Sequence, residues 1–353
     1  MLVASVLRSF PALFSSVFTA CLLAGCAPVG TYQDATEADA AKLRFVASTD
    51  NATVSYFDAE HCDGLTTGIL NNLFLADSPR RVGMSVAPPE KARGYLEIKL
   101  TPEKDVYLHI NTQSGYLVCG LGFNFKPQRG TEYEVAFSLT GNECSTLVQR
   151  LQRIDGKDVR TPLMVDSGGP PACSRNPISS KPPQLLPDTP ERTALMDRII
   201  DGSAMFIAQT DPKKQPEAKL SSEALDVLIS ERKAKLGFSM PDDYWALYRQ
   251  NLIKFDEDNS TKMTQVLQRT SDEYRKFLRS VDDKKLKEWA RVDDTSGKRG
   301  NAVPVEQEKS MIVFYFQASK AVTFETINKH VERMAKMDSQ YDVCSRLDDC
   351  WKR

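Results

Sequence analysis

Two groups of side chains in this sequence carry chemistry by type and spacing: an acidic stretch around one histidine, and a set of cysteines. Asp58, Glu60, His61 and Asp63 bring three carboxylates and an imidazole within six residues, and hard oxygen donors so clustered are what a divalent cation takes. Their order does not match a helix-loop-helix calcium loop. A solvated loop between strands is therefore the expected outcome, with no metal and no cofactor. Of eight cysteines, Cys21 and Cys26 lie in the apolar N-terminal stretch, leaving Cys62, Cys119, Cys144, Cys173, Cys344 and Cys350. In an oxidising compartment this even set reads as up to three disulfides, with every pairing open from sequence alone. The pairing Cys62–Cys119, Cys144–Cys173 and Cys344–Cys350 keeps each bridge inside one domain and is the expected one, free thiols or metal ligands being the alternative. No Cys-x-x-Cys occurs among the six, which argues against a redox dithiol and against a zinc knuckle. His109 and His330 have no acid or nucleophile placed beside them by local spacing, and they read as surface or boundary histidines. Gly-rich phosphate loops, His-Glu-x-x-His and Gly-x-Ser-x-Gly are absent.

Three further stretches carry a resemblance. Val165-Asp166-Ser167-Gly168-Gly169-Pro170 is similar to the nucleophile motif of the chymotrypsin-like serine proteases. Ala59-Glu60-His61-Cys62 resembles their histidine motif and Asp105-Val106-Tyr107-Leu108 their aspartate motif, in the order His, Asp, Ser. The resemblance implies a triad in which His61 is the general base, Asp105 orients it and Ser167 is the nucleophile. The chain departs from that pattern at points that matter physically. Val165 stands where the family's glycine donates an oxyanion-hole N–H from a backbone shape that a β-branched residue tolerates poorly. The stretch between Asp105 and Ser167 is too short for the strands that separate those motifs, and a proline-rich run follows Ser167. The expectation is that Asp166–Pro170 opens a turn-rich linker and that His61 sits in a disulfide-tied loop. Ser230-Glu231-Arg232-Lys233 resembles the Ser-x-x-Lys motif of penicillin-binding proteins, but no Lys-Thr-Gly follows it. On an amphipathic helix it is a polar face. No catalytic residue is expected.

Residues 1–26 bear on location. Arg8 precedes an uncharged apolar run from Phe10 to Ala24, and Leu23-Ala24-Gly25-Cys26 closes it. The run is short for a spanning helix, which needs about 20 apolar residues, and it has the layout of a signal peptide. These residues resemble the lipobox of bacterial lipoproteins. That resemblance implies cleavage before Cys26, diacylglycerol on its thiol and stable anchoring through more than one acyl chain. Ala27 follows where an aspartate favours inner-membrane retention, so the resemblance implies the outer membrane of a Gram-negative envelope, facing the periplasm.

The elements that must position these residues divide the chain. A small, polar, acidic stretch over 26–40 suits a flexible tether. Alternation by two follows: Tyr133, Val135, Phe137 and Leu139 share one face, as do Leu96, Ile98 and Leu100. Further strands are expected at Leu43–Ala47, Thr53–Phe57, Arg81–Val86, Val106–Ile110 and Ser145–Arg150. Together they suggest an antiparallel β-sandwich over 41–160. The run from Leu43 to Leu151, including Asn71-Asn72-Leu73-Phe74-Leu75 and Gly120-Leu121-Gly122-Phe123-Asn124-Phe125, resembles uncharacterised proteobacterial envelope lipoproteins, a resemblance that implies no activity. Prolines crowd residues 161–190 and mark a semi-rigid linker. Beyond 191 the period is helical. One helix is capped by Ser221 or Ser222 and closed by Gly237, one starts at Ser239-Met240-Pro241-Asp242, and one carries Met263 to Val281. A short one follows around Leu286 and Trp289, and a late one runs from Thr323 to Met334, with Met311–Phe316 ambiguous between helix and strand. The fold class expected is α+β in two domains, with a C-terminal α-helical bundle over 191–353. The 46 basic and 47 acidic residues nearly cancel, which gives no electrostatic reason to expect nucleic acid. The expected function is a membrane-anchored binding or scaffolding module with an envelope protein or cell-wall partner. A serine hydrolase using Ser167 with His61 and Asp105, and a polysaccharide-binding protein, are the alternatives.

Overall fold

The structure is a computed structural model that describes residues 30–90, 92–114, 117–140, 143–170, 184–210, 219–290 and 305–347. Cys26, Cys173 and Cys350, together with the middle of the expected linker, lie outside the described residues.

Nine strands make up the N-terminal part: β1 Ala41–Ala47, β2 Ala52–Phe57, β3 Leu65–Leu70, β4 Gly94–Leu100, β5 Val106–Ser114, β6 Leu117–Phe125, β7 Glu132–Thr140, β8 Glu143–Ile154 and β9 Lys157–Pro162. They form a five-stranded sheet in the order β4-β1-β7-β8-β9 and a four-stranded sheet in the order β3-β2-β5-β6. Alternation places Phe45, Leu96, Ile98, Val135 and Phe137 of the first sheet and Val54, Tyr56, Leu108, Ile110 and Phe123 of the second in one hydrophobic cluster. The expectation of purely antiparallel pairing needs correction, because β1 is antiparallel to β4 but parallel to β7. Its near-continuous burial suits a central strand, and the chain passes through the other sheet before it returns as β7.

Three strands were not legible. Gly68 interrupts β3, and Gly120 and Gly122 interrupt β6, weakening the apolar alternation. Both strands need these glycines for close approach: a Cβ on Gly122 would meet Tyr107 Oη at 1.9 Å, and one on Gly68 would meet Ser78 Oγ at 2.4 Å. β9, Lys157 to Pro162, has only Val159 as a strong apolar signal.

Arg81–Val86, expected as a strand, is instead a strap across the outer face of the five-stranded sheet, its backbone bonded to side chains rather than to a ladder. The N–H groups of Val82 and Gly83 donate to Glu97 Oε2 at 3.0 and 3.2 Å, and that of Ser85 donates to Glu132 Oε2 at 2.8 Å. Beneath it Arg44, 1% exposed, donates to Glu97 at 3.0 Å, to Glu134 at 3.1 Å and to the Val86 carbonyl at 2.7 Å. Arg160 on β9 reaches Glu134 at 3.1 Å. Charges that alternation assigns to a solvated face are thus buried and mutually paired, as buried ions must be.

Residues at the start of the described chain are also docked. Expected within a flexible tether, Tyr32 instead lies in the core cluster, and its hydroxyl donates to the Lys99 carbonyl at 2.7 Å. Its aromatic ring gives this polar stretch an apolar foothold that composition obscures.

The helices are α1 Pro190–Thr210, α2 Ser222–Leu236, α3 Asp242–Leu278, α4 Asp283–Trp289, α5 Val305–Gln340 and α6 Val343–Arg346. Ser221 caps α2 by accepting from the Ala224 N–H at 3.2 Å, and Gly237 ends it at φ 70°. The two helices expected on either side of 253–262 are one, α3, of 37 residues. No Pro or Gly interrupts that stretch, and an Arg333–Asp258 pair at 2.9 Å ties its middle to α5. The ambiguous Met311–Phe316 run is helical within α5. α3 and α5 are antiparallel, since Tyr244 bonds Asp338 at 3.0 Å while Tyr274 bonds Ser310 at 3.3 Å. A core closes at each end of this pair: α1 and α4 on Tyr274 and Leu278, α2 and α6 on Tyr244 and Tyr248.

α5 also meets the sheets. Asn328 bonds the Met164 backbone at 2.7 and 3.2 Å, Glu332 pairs with Arg150 at 2.9 Å, and Lys320 pairs with Asp166.

Candidate functional site

His61, the one histidine that the sequence places in a chemical context, lies in the turn between β2 and β3. The turn is organised by Asp58, which follows Phe57 at the end of β2 and is 1% exposed. Asp58 Oδ1 accepts from the backbone N–H groups of Glu60 and His61, both at 2.8 Å, which folds the turn back on itself. The same oxygen is 2.8 Å from His61 Nδ1, while Oδ2 accepts from Tyr56 Oη at 2.8 Å and pairs with Lys104 Nζ at 2.9 Å. Lys104 comes from the turn between β4 and β5, where Glu103 sits at φ 60°. Burial alone would raise the Asp58 pKa, yet the Lys104 ammonium, the Tyr56 hydroxyl and the backbone donors together hold it well below the usual carboxylate range. Burial pushes the Tyr56 phenol up, helped by its bond to Asp58.

This arrangement orients an imidazole. A buried carboxylate on Nδ1 fixes the ring and leaves Nε2 as the nitrogen outside that bond, the arrangement a general base requires. The protease resemblance assigns the orienting role to Asp105, whereas the carboxylate on His61 is that of Asp58 and Asp105 is exposed. Ser167 is exposed and lies beyond β9, in a stretch that Asn124 ties to β6 through Asp166 O at 2.6 Å and Gly169 O at 2.8 Å. Among the described residues no hydrogen bond or ion pair joins His61 to Asp105 or to Ser167. Asp166 pairs with Lys320 of α5.

The acidic stretch that suggested a cation is engaged otherwise, since Asp58 is filled by five donors and Glu60 faces Lys104 at 3.7 Å. Among the described residues no group of three or more His, Cys, Asp and Glu is placed to hold a metal. Ser230 of the Ser-x-x-Lys stretch donates to the Asp226 carbonyl one turn back on α2 at 2.8 Å, an ordinary helical contact. His109 stacks on Tyr107 with centroids 6.3 Å apart, and His330 stacks on Phe255 at 4.3 Å with its pKa lowered by burial and by Arg333.

The cysteine pairing needs correction. Cys119 on β6 is bonded to Cys144 on β8, with Cα atoms 6.4 Å apart, so neither Cys62–Cys119 nor Cys144–Cys173 forms. The bridge joins the two sheets where their hairpin ends meet, a juxtaposition that no sequence spacing encodes. Cys62 and Cys344 are each in a disulfide as well, with partners outside the described residues.

Sequence reasoning missed a second buried polar centre, in the helices. Asp338 of α5, fully buried, accepts from Arg232 at 2.6 Å and from Tyr244 at 3.0 Å. Burial raises the Asp338 pKa against the pull of Arg232, and burial with the Asp338 charge pushes Tyr244 up to about 12. One legible signal was the acidic residue at a core position of α5, directly after Met337.

Comparison with protein-family models and with curated proteins finds no match to this chain. Among the described residues no helix is long and apolar enough to cross a membrane.

Proposed function

We propose that the chain is a lipid-anchored envelope protein of a Gram-negative bacterium, attached to the periplasmic face of the outer membrane through acylated Cys26. In this reading it acts by binding or scaffolding and not by catalysis. The observation that carries the reading is the uncharged run from Phe10 to Ala24 closed by Leu23-Ala24-Gly25-Cys26. The two sheets make a β-sandwich near the membrane, a reading supported by the core they share, and the helices make a bundle that presents long polar faces. Orientation of His61 by Asp58, with no bonded link to Ser167 among the described residues, favours a binding role over a triad.

Crosslinking in living cells, followed by identification of what is captured, tests the binding role. The expected result is a defined envelope protein or cell-wall glycan whose capture persists in a Ser167→Ala variant. Covalent labelling of Ser167 by a fluorophosphonate in the folded, acylated chain would overturn the non-catalytic reading.

A further inference from the structure

The most exposed aromatic side chain among those described belongs to Phe74, 93% exposed between Leu73 at 72% and Leu75 at 45%. Residues 71–76 carry no charge. The turn that presents them is fixed: Asn72 Oδ1 accepts from the N–H groups of Phe74 and Leu75 at 2.8 and 2.7 Å, and Asn71 Nδ2 donates to the carbonyls of Ala47 and Thr49, both at 2.9 Å. A bond from Asn72 to Asn51, and one from Asn51 to the Gln113 carbonyl, join this tip to the end of the β5–β6 hairpin, where Val118 is 70% exposed. An apolar tip held rigidly in water is a contact surface.

We infer that this end of the β part, tipped by Leu73, Phe74 and Leu75 with Val118 beside it, inserts into the lipid surface that holds the Cys26 acyl chains. The inference rests on the lipid attachment proposed above. Two observations select a bilayer over a protein. The chain path is the first. The Ala35 N–H bonds the Lys99 carbonyl, that of Tyr32 bonds the Thr66 carbonyl, and Gly30 abuts Thr67. Traced back toward its start, the chain therefore runs along β3 toward the tip. Cys26 stands four residues before Gly30, a reach of about 14 Å, and Thr67 is at most about 20 Å from Leu73. The second is size. Four side chains fall short of the roughly 800 Å² per partner of a stable protein interface, but apolar anchors of this kind suffice at a lipid surface to which the chain is already tied.

The test uses the full acylated chain with Phe74→Trp, in vesicles of phosphatidylethanolamine and phosphatidylglycerol with part of the acyl chains brominated. The signal read is emission in excess of the unsubstituted chain. Insertion predicts a blue-shifted band quenched by about half or more, and an about tenfold weaker vesicle partition for a Cys26→Ser chain that also carries Leu73→Ser and Phe74→Ser than for Cys26→Ser alone. An acylated chain that floats with the vesicles while its added tryptophan stays unquenched overturns the insertion and leaves the anchor standing. A blue-shifted, unquenched band from a dimeric chain also overturns it and assigns the tip to a second copy. Failure of Cys26 to take up labelled palmitate, with a chain that does not float, overturns both.

Discussion

At the residue scale, the molecule is organised by carboxylates whose roles depend on what lies over them. Asp58 is held below its ordinary pKa, so the folded chain gives up this proton more readily than the unfolded one. Its stabilisation is complete above the unfolded value of about 3.9 and is lost as the pH falls from there toward the folded value. An Asp58→Asn chain is expected to lose about 1.5–3 kcal/mol at neutral pH and to show a flatter decline as the pH falls from about 4 to about 2, both measured by urea unfolding across pH. An equally steep decline in the variant would remove Asp58 from the account. Arg44 poses the converse case, a cation sealed between Glu97 and Glu134. Arg44→Met leaves both carboxylates buried with less to hold them and is expected to cost about 3–5 kcal/mol in the same measurement. A loss below about 1 kcal/mol would contradict the buried network. His61 was legible as chemically placed, because a histidine among acids stands out. Its partner was not, since the resemblance drew attention to Asp105 while the turn geometry supplies Asp58.

At the scale of elements, periodicity located what obeys one rule from end to end. β1, β2, β4, β5, β7 and β8 were all anticipated in part, as were the capped helix α2 and the short α4. The failures share a cause. Strands holding glycines for close backbone contact lose their alternation, and the 81–86 segment has a strand-like composition but satisfies its N–H groups on side chains. Two expected helices proved to be one because a polar middle without Pro or Gly does not end a helix that a neighbour supports. Ser260→Pro tests this continuity. Exposed in mid-helix, it is expected to destabilise the chain by about 3 kcal/mol or more, whereas a loop at that point would tolerate proline with little change in unfolding midpoint. The Cys119–Cys144 bridge closes a 25-residue separation between the two sheets. Replacing both cysteines by serine is expected to cost about 3–4 kcal/mol on the loop-entropy treatment. An unchanged thermal midpoint would show that the sheets do not depend on it.

At the scale of the whole molecule, the proposed lipid attachment rests on the apolar N-terminal run that ends at Cys26. The two structural parts meet through α5, through the Arg150–Glu332 pair and through the Asn328–Met164 bonds, so the helices are carried on the sheets and not merely strung after them. This coupling was not legible, because residues far apart in sequence make it, and the proline-rich stretch suggested separation. What the sequence did supply, and the described residues do not reach, is the cysteine at the end of the apolar run. The most direct test of the account is the intact mass of the mature chain isolated from bacterial membranes. A lipid-anchored protein is expected as a chain beginning at Cys26 whose mass exceeds that of residues 26–353 by a diacylglyceryl group and a further acyl chain, with uncleaved, unacylated precursor from Cys26→Ala. A wild-type chain that retains residues 1–25, or that begins at Cys26 without acyl mass, would contradict it.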